Sequence, residues 1–408
     1  MTKFIKNTFI IFFILIIFTS KGFSQKSIII FKNDYSNNYM NYAIYDLIIK
    51  NIFLYSNLKI INSHSNYSSY NKIKSQIKKL TINNNANISI AYQIQNFKNG
   101  ILINYIIFDN EKPNEWIEKS AYSKEEDLFI SINKILKDIY EISKIKNKIT
   151  YIKEKDYISL LGYYSQKIIL TNNEDNIYKL FYDFHKDNIY FNIDYLEYLT
   201  DKSDRTSVDI INDLIKNMQN YINKKKNHYY LYSLGCMHYG KYKVNVILSD
   251  IEASIENYNK ALKLKNNYYK YYYRLANAYI LKNDYDNAIK YYEEAIKLNE
   301  YDINIIKEFV YLLKRDINKN GNEVISYLKK IIEINKNDEE ALEEISKLYE
   351  KIGDYDNALI YYNKLFEVIN YNLYIINNET KDADAYDRYI FKRNSIKLNI
   401  ESLKKKIF

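Results

Sequence analysis

The sequence predicts an α+β chain of several domains, in which a small α/β domain precedes an all-α superhelical array. The array is indicated by residues 268–299, where two amphipathic helical segments flank a polar turn, and by recurrence of this pattern about every 34 residues. The α/β domain is indicated by residues 88–95 and 101–108, where apolar and polar residues alternate as they do in paired strands. The order of elements predicted for this first domain is βαβα, then three strands, then a helix.

Length and composition set the outer limits. A chain of 408 residues is long enough for two or three domains. Its net charge of +9 is mildly basic and spread along the chain, which does not indicate nucleic-acid binding. The single cysteine, Cys236, excludes an intrachain disulfide framework.

The first residues have the layout of a secretory signal peptide. Lys3 and Lys6 precede an unbroken apolar run at residues 9–18, and small residues follow around residues 22–24. An uncleaved membrane anchor at residues 4–19 is the alternative, although this run is short for spanning a bilayer. Loss of residues 1–24 removes three lysines and no acid, which leaves 9 − 3 = +6. We expect an exported chain, periplasmic or associated with the cell envelope.

Residues 25–146 carry the signals of the α/β domain. Apolar runs predict strands at residues 27–31, 58–61 and 116–122, besides the hairpin. Helical spacing predicts helices at residues 39–54, 68–80 and 127–145.

The segments SIIIFKN, ANISIAYQIQ and ILINYIIFDNE of this domain resemble the amino-terminal domain of TolB and the related FlgO-like exported domains. The resemblance covers about 120 residues, and Asn87 and Gln93 depart from the family pattern. It implies a small α/β binding domain, of a kind often found ahead of helical repeats, with no catalytic chemistry.

The second half of the chain repeats in three registers over four units at residues 227–370. Residues 147–226 are helical in pattern but out of phase, which predicts divergent helical hairpins, and residues 371–408 predict a terminal capping helix. The positions expected to form the core of the repeats are Leu234, Gly235, Ser254, Tyr258, Ala261, Leu275, Ala276, Tyr279, Ala288, Tyr292, Ala295, Val324, Leu328, Ile331, Tyr349, Ala358, Tyr362 and Leu365.

These units resemble the tetratricopeptide repeat, or TPR, whose pattern places Leu-Gly and Tyr on a first helix and Ala on a second. The first unit departs from it by about seven extra residues around 241–248, and the third has Val324 and Ile331 at small positions. The closing proline of the family is missing, and Glu300 stands at that position in the second unit.

In TPR arrays the first helices line a concave groove, so the resemblance implies a surface for a protein or peptide. The residues it places there are Tyr229, Tyr232, Lys270, Tyr273, Arg274, Asn277, Lys307, Glu343 and Lys347. Lys270, Arg274 and Asn277 partly match the clamp with which some TPRs grip a terminal carboxylate, and a solvated charged face is the alternative.

Signals of catalysis and of a cofactor are missing from the sequence. It has no glycine-rich phosphate loop, no Gly-x-Ser-x-Gly and no His-Glu-x-x-His. Cys236, His228 and His238 are poorly spaced for zinc, so a core cysteine is the simpler interpretation. The acidic run at residues 382–387 lacks the glycine and glutamate of a calcium loop and fits a helix start. We therefore expect no catalytic residue, no metal and no cofactor.

Three functions fit these patterns. An exported, non-catalytic scaffold that binds a protein or peptide partner through the groove is the first. A cell-envelope or motility accessory factor, acting in outer-membrane assembly through the α/β domain, is the alternative. An enzyme with unrecognised chemistry is the remote third, because no convergent set of acid, base and nucleophile is visible. The sequence does not identify the partner or the oligomeric state.

Overall fold

The computed structural model divides the chain into two compact units, Met1–Tyr271 and Tyr272–Phe408, called unit 1 and unit 2 below. It describes residues 27–31, 39–56, 58–61, 73–83, 86–97, 100–124, 127–144, 152, 178, 181–182, 188–218, 227–380 and 382–407. The predicted signal segment lies outside the described residues. The predicted domain limits within each unit stay predictions.

Unit 1 begins with a mixed five-stranded sheet. Its strands are β1 (Ser27–Phe31), β2 (Lys59–Ile61), β3 (Ile88–Phe97), β4 (Gly100–Asp109) and β5 (Trp116–Ser123), in the order β2-β1-β3-β4-β5. β1 pairs in parallel with β2 and β3, whereas β3, β4 and β5 are antiparallel neighbours. The predicted hairpin is confirmed, with Phe97 opposite Gly100 at its turn.

In the part of the chain that the structure describes, the helices that accompany the sheet are α1 (Tyr39–Tyr55), α2 (Ile73–Asn83) and α3 (Leu128–Ile142). α3 buries one apolar stripe, which includes Leu128, Ile132 and Ile139, because these residues recur at helical spacing. The predicted α/β architecture is thereby confirmed. The described part of the helix predicted at residues 68–80 is α2, and residues 68–72 lie outside the described residues.

The helical part of unit 1 begins at α4 (Ile189–Lys202) and α5 (Arg205–Met218), followed by α6 (His228–Asn245) and α7 (Leu248–Leu264). Within residues 147–226, where the sequence predicts helical hairpins, α4 and α5 are the helices whose bounds the structure gives. Most of residues 147–187 lie outside the described residues. The extra residues of the first repeat lengthen α6 to 18 residues.

Helix α1 connects the sheet to the helices of unit 1 by buried polar contacts. Nζ of Lys50 lies 2.7 Å from Asp46 and 2.8 Å from Asp194 of α4, and it donates to the carbonyl of Tyr190 at 3.0 Å. Lys265, which follows α7, donates to the carbonyls of Phe53 and Ser56, each at 2.8 Å. The carboxyl end of α1 thus accepts a buried cation, as the helix dipole favours.

Helix α8 (Tyr269–Leu281) contains the boundary between the units. It is followed in unit 2 by α9 (Tyr285–Leu298), α10 (Ile303–Leu313), α11 (Ile317–Ile334), α12 (Glu339–Lys351) and α13 (Tyr355–Ile375). Four aspartates, Asp284, Asp302, Asp338 and Asp354, cap helices α9, α10, α12 and α13 by accepting a backbone N–H. These caps fix the turns that the sequence predicted.

The last helix, α14 (Ala383–Ile407), packs on α13 and follows a short π-helical segment, Ile376–Thr380. Its buried residues are Ile396, Ile400 and Leu403, and most of its other positions are exposed. A helix with one narrow apolar face and a polar outer side suits the end of a stack. Across the residues that the structure describes, no helix is long and apolar enough to cross a membrane.

Candidate functional site

The residues expected in the core of the repeats are mostly inaccessible. Ala288, Ala295 and Ala358 are fully buried, which lets the paired helices approach closely. Leu234 and Tyr279 are half-buried. The others are buried: Gly235, Ser254, Tyr258, Ala261, Leu275, Ala276, Tyr292, Val324, Leu328, Ile331, Tyr349, Tyr362 and Leu365.

Three of the residues expected along the groove are buried instead. Tyr229, Tyr232 and Arg274 are 1%, 0% and 2% exposed. The ring of Tyr229 packs 5.9 Å from that of Phe53, and the ring of Tyr232 packs 4.6 Å from that of Tyr271. We correct the expectation for these three, because a side chain without exposed surface presents nothing to a partner.

Of the three residues of the expected carboxylate clamp, Arg274 is corrected for the same reason, whereas Lys270 and Asn277 are half-buried. The guanidinium of Arg274 is buried and lies 5.2 Å from the ring of Tyr273. Nζ of Lys270 lies 3.6 Å from Glu197, within unit 1. In unit 2, Oδ1 of Asn277 accepts a hydrogen bond from the hydroxyl of Tyr292. The buried Arg274 is therefore excluded from the clamp, whereas the roles of Lys270 and Asn277 at a carboxylate stay predictions.

The remaining expected groove residues keep exposed surface, and three of them form a series in unit 2. Tyr273 of α8 donates to Glu308 of α10 at 2.9 Å. Lys307 of α10 contacts Asp338 and Glu340 of α12 at 3.0 and 2.7 Å. Glu343 of α12 lies 3.5 Å from Lys392 of α14. Successive first helices are therefore joined by one polar contact after another, and α14 continues the series.

Local charge tunes two members of this series. Burial by itself would lower the pKa of Lys307, but its bonds to Glu340 and Asp338 raise that pKa above the ordinary value for lysine. Burial would raise the pKa of Glu343, yet Lys347 and Lys392 hold it below the ordinary value for glutamate. Both side chains stay charged at neutral pH, and Lys347, beside Glu343, is exposed.

A small cavity of about 60 Å³ lies among α10, α11 and α12. Its lining residues are Lys307, Val310, Tyr311, Lys314, Leu328, Ile331, Glu340, Ala341 and Glu344. Tyr311 is 76% exposed beside it. Tyr311 was not predicted from the sequence, although it lies off the apolar stripe formed by Ile306, Phe309 and Leu313 and this spacing can be seen in the sequence.

No group of three or more histidines, cysteines, aspartates or glutamates could hold a metal ion among the described residues. Cys236 is buried, and the hydroxyl of Tyr258 lies 3.5 Å from its sulfur. Nδ1 of His228 lies 2.7 Å from the hydroxyl of Tyr271, and Nδ1 of His238 lies 3.1 Å from Asp250. These side chains pack in the helical part of unit 1 as ordinary core and near-surface groups.

Comparison with solved structures finds matches of low sequence identity. A crystal structure of MamA is 22% identical over 40% of this chain and 91% of that chain, with a TM-score of 0.32. YrrB, described as a TPR protein with an unusual peptide-binding site, is 18% identical over 50% of this chain and 91% of that chain, with a TM-score of 0.29. Among curated proteins, none matches the chain.

Comparison with family models is more specific. Residues 269–302 match one model of the tetratricopeptide repeat, and residues 339–372 match another. The first match covers α8 and α9, and the second covers α12 and most of α13. The two matches coincide with the second and the fourth of the four repeat units predicted from the sequence. The chain therefore contains two tetratricopeptide repeats.

Proposed function

We propose that this chain is a non-catalytic scaffold that binds a protein or peptide through the helical repeats of unit 2. The matches to the tetratricopeptide repeat support the general role, because such repeats present extended helical surfaces to partners. The observation that carries the specific site is the cavity among α10, α11 and α12, with Tyr311 exposed beside it.

The cavity has an apolar floor and a charged rim. Val310, Leu328, Ile331 and Ala341 supply the floor, which suits one aliphatic side chain of a peptide. Tyr311 adds a large, rigid contact surface at low cost in conformational entropy.

Ion pairs at the rim orient the partner more than they attract it. Lys314 pairs with Glu344, and Lys307 pairs with Glu340. These charges are already balanced and partly exposed, so their contribution to affinity is small. We infer that the apolar anchor and the tyrosine provide most of the binding energy, in line with the few residues that dominate other interfaces.

Export of the chain is a second part of the proposal. It is supported by the basic start, the apolar run and the small residues of segment 1–24, and by the resemblance of residues 25–146 to TolB and FlgO-like domains. Cell fractionation, with amino-terminal sequencing of the purified chain, tests it. A chain recovered in the cytoplasm with Met1 retained would contradict export while leaving the repeat surface untouched.

A displayed library of random peptides, selected against the full chain, tests the binding site. We expect the enriched peptides to share one aliphatic anchor, and Tyr311→Ala to weaken their binding by roughly tenfold. Tyr371→Ala is the matched control, because Tyr371 is also exposed, at 58%, but lies on α13 away from the cavity. Equal affinities for both variants, or enrichment of no peptide, would contradict the proposed site.

A further inference from the structure

The turn between α6 and α7 in unit 1 exposes three consecutive aliphatic residues. Val246, Ile247 and Leu248 are 70%, 51% and 58% exposed. They stand at the end of the longest helical hairpin of the described part of unit 1, whose helices have 18 and 17 residues. Single exposed apolar residues are common on proteins, but three adjacent ones form a patch that calls for an explanation.

The residue types in this turn are also unfavourable for its backbone conformation and for capping of the helix that follows. Val246 adopts a left-handed conformation, with φ of 56°, which is unfavourable for a β-branched residue. Ile247 is the N-cap of α7 and makes no side-chain cap hydrogen bond. Asn188 and Asn227 cap α4 and α6 in the same unit, as the ranking of capping residues predicts. The turn thus contains apolar residues at two positions where the backbone conformation and helix capping favour polar ones.

Positive charge accompanies the patch. Lys241 and Lys243 lie within the last turns of α6, and Lys243 is exposed. The acid of the segment 240–251, Asp250, is mostly buried and lies beside His238. The turn therefore combines an aliphatic tip with two lysines on its α6 side, while the exposed acid Glu252 lies one turn further along α7.

We propose that this turn docks on an anionic membrane surface, with Val246, Ile247 and Leu248 entering the boundary between headgroups and acyl chains. Lys241 and Lys243 then face the lipid phosphates, where each nearby cation adds to binding. The residue types favour lipid over a protein partner, because protein hot spots are rich in Trp, Tyr and Arg and poor in Val and Leu. A convex tip also suits a fluid surface, whereas a protein partner would have to supply a matching pocket.

A fluorescent label at the turn tests the proposal at the site itself. The only native cysteine, Cys236, is buried, so Leu248→Cys in the full chain can be labelled selectively with a polarity-sensitive dye. Addition of vesicles of phosphatidylglycerol and phosphatidylcholine should shift the emission to shorter wavelength. Pure phosphatidylcholine vesicles should give a smaller shift, because they lack the anionic headgroups. The same dye on Ile352→Cys, a residue 57% exposed in unit 2, is the matched control and should not shift.

A second variant separates lipid contact from folding. Val246→Asn with Ile247→Ser removes two aliphatic groups, while Asn tolerates the left-handed conformation and Ser caps a helix. The double variant should therefore be at least as stable as the native chain. With the dye on Leu248→Cys, it should require roughly tenfold more vesicle lipid for half of the spectral shift.

Three results would overturn the proposal. The first is a label at position 248 that reports no change of polarity with anionic vesicles. The second is a double variant whose shift needs no more lipid than the native turn. A photo-crosslinker at position 247 that captures a protein, and no lipid, would assign the turn to a protein partner instead and would also overturn it.

Discussion

Unit 1 and unit 2 are both largely helical, but they are held together by contacts of different range. In unit 1, Lys50 bonds to a carbonyl 140 residues away and Lys265 to one 212 residues away, both in buried surroundings. In unit 2, the polar contacts from Tyr273 and Lys307 reach partners 35 and 33 residues away and are exposed. The first kind of contact ties distant segments into one body, whereas the second repeats from neighbour to neighbour.

This difference changes what one substitution can do. A buried cation that loses its partners leaves an uncompensated charge, which is strongly destabilising. An exposed ion pair contributes little, because water and salt replace it. We therefore expect unit 1 to be sensitive to single polar substitutions and unit 2 to tolerate them.

The largest effect is expected from Lys50→Met. This change leaves Asp46 and Asp194 without their shared cation, and breaking such a buried pair costs about 3–5 kcal/mol of unfolding free energy. Urea unfolding followed by far-ultraviolet circular dichroism, which reports on both units, measures the effect, and the fluorescence of Trp116, the only tryptophan, assigns it to unit 1. Lys297→Met is the control, since this lysine of unit 2 is 74% exposed and its removal should change stability by less than about 0.5 kcal/mol. Similar losses for both would remove the contrast between the units.

Acid should destabilise unit 1 through His228. Burial, with the charge of Lys265 adding to it, lowers the pKa of His228 to about 3, so the unfolded chain takes up its proton first. Stability is therefore present above the ordinary pKa of about 6.5 and is lost as pH falls below it, by about 2 kcal/mol between pH 6.5 and 5. Burial lowers the pKa of Lys265 to about 7. Between pH 6.5 and 5 this lysine is protonated in both the folded and the unfolded chain, so its contribution to stability does not change over the window.

Urea unfolding of the native chain and of His228→Gln at several pH values isolates this contribution. Between pH 6.5 and 5 the native chain should lose unfolding free energy. The variant should lose less, and the difference between the two chains is the contribution of His228. Parallel losses in the two chains would show that His228 is protonated without cost in the folded state.

A smaller effect is expected from Asp354→Ala in unit 2. Asp354 caps α13 by accepting the N–H of Asn357 at 3.2 Å, and loss of such a cap costs about 1 kcal/mol. Thermal unfolding followed by circular dichroism should show a lowered midpoint. Asp387→Ala, at an exposed position of α14, should leave the midpoint unchanged, and an equal shift would argue against capping as the cause.

The smallest effect is expected from Lys347→Ala. Lys347 is 56% exposed and pairs with Glu343 one turn earlier, so its loss should change stability by less than about 0.5 kcal/mol. The same circular-dichroism measurement checks this. A larger loss would show that the exposed pairs of unit 2 carry more weight than the comparison of the units allows.

The range of contacts also decides what the sequence could predict. The hairpins around Ala288 and Ala358, and the strand pair at residues 88–108, are visible in local spacing, so both were predicted closely. The burial of Tyr229 was not predictable in this way, because the ring that covers it belongs to Phe53, in a helix far away in the sequence. Contacts between residues far apart in the sequence produce no periodic pattern. This is why the prediction of the groove was wrong at Tyr229 and Tyr232.

Tyr311 was overlooked for a different reason. α10 is apolar over most of its length, so the position of Tyr311 off the buried stripe was easy to miss, and its 76% exposure makes that position plain. The extra residues around 241–248 are visible in the sequence. That they lengthen α6 and expose an aliphatic turn is seen only in the structure. Local pattern predicts an element, whereas its surroundings determine which of its faces reaches solvent.

The carboxylate of Glu339 has a consequence for how such arrays grow. It accepts hydrogen bonds from Asn372 and Tyr389 and lies 2.7 Å from Nζ of Lys392, and so it anchors α14 beside α12. A duplicated hairpin inserted ahead of α14 can be closed off in the same way only if its own first helix begins with an acid at that position. An acid at the start of the preceding first helix is therefore one requirement for closing the array, beside the apolar residues Ile396, Ile400 and Leu403 that α14 buries.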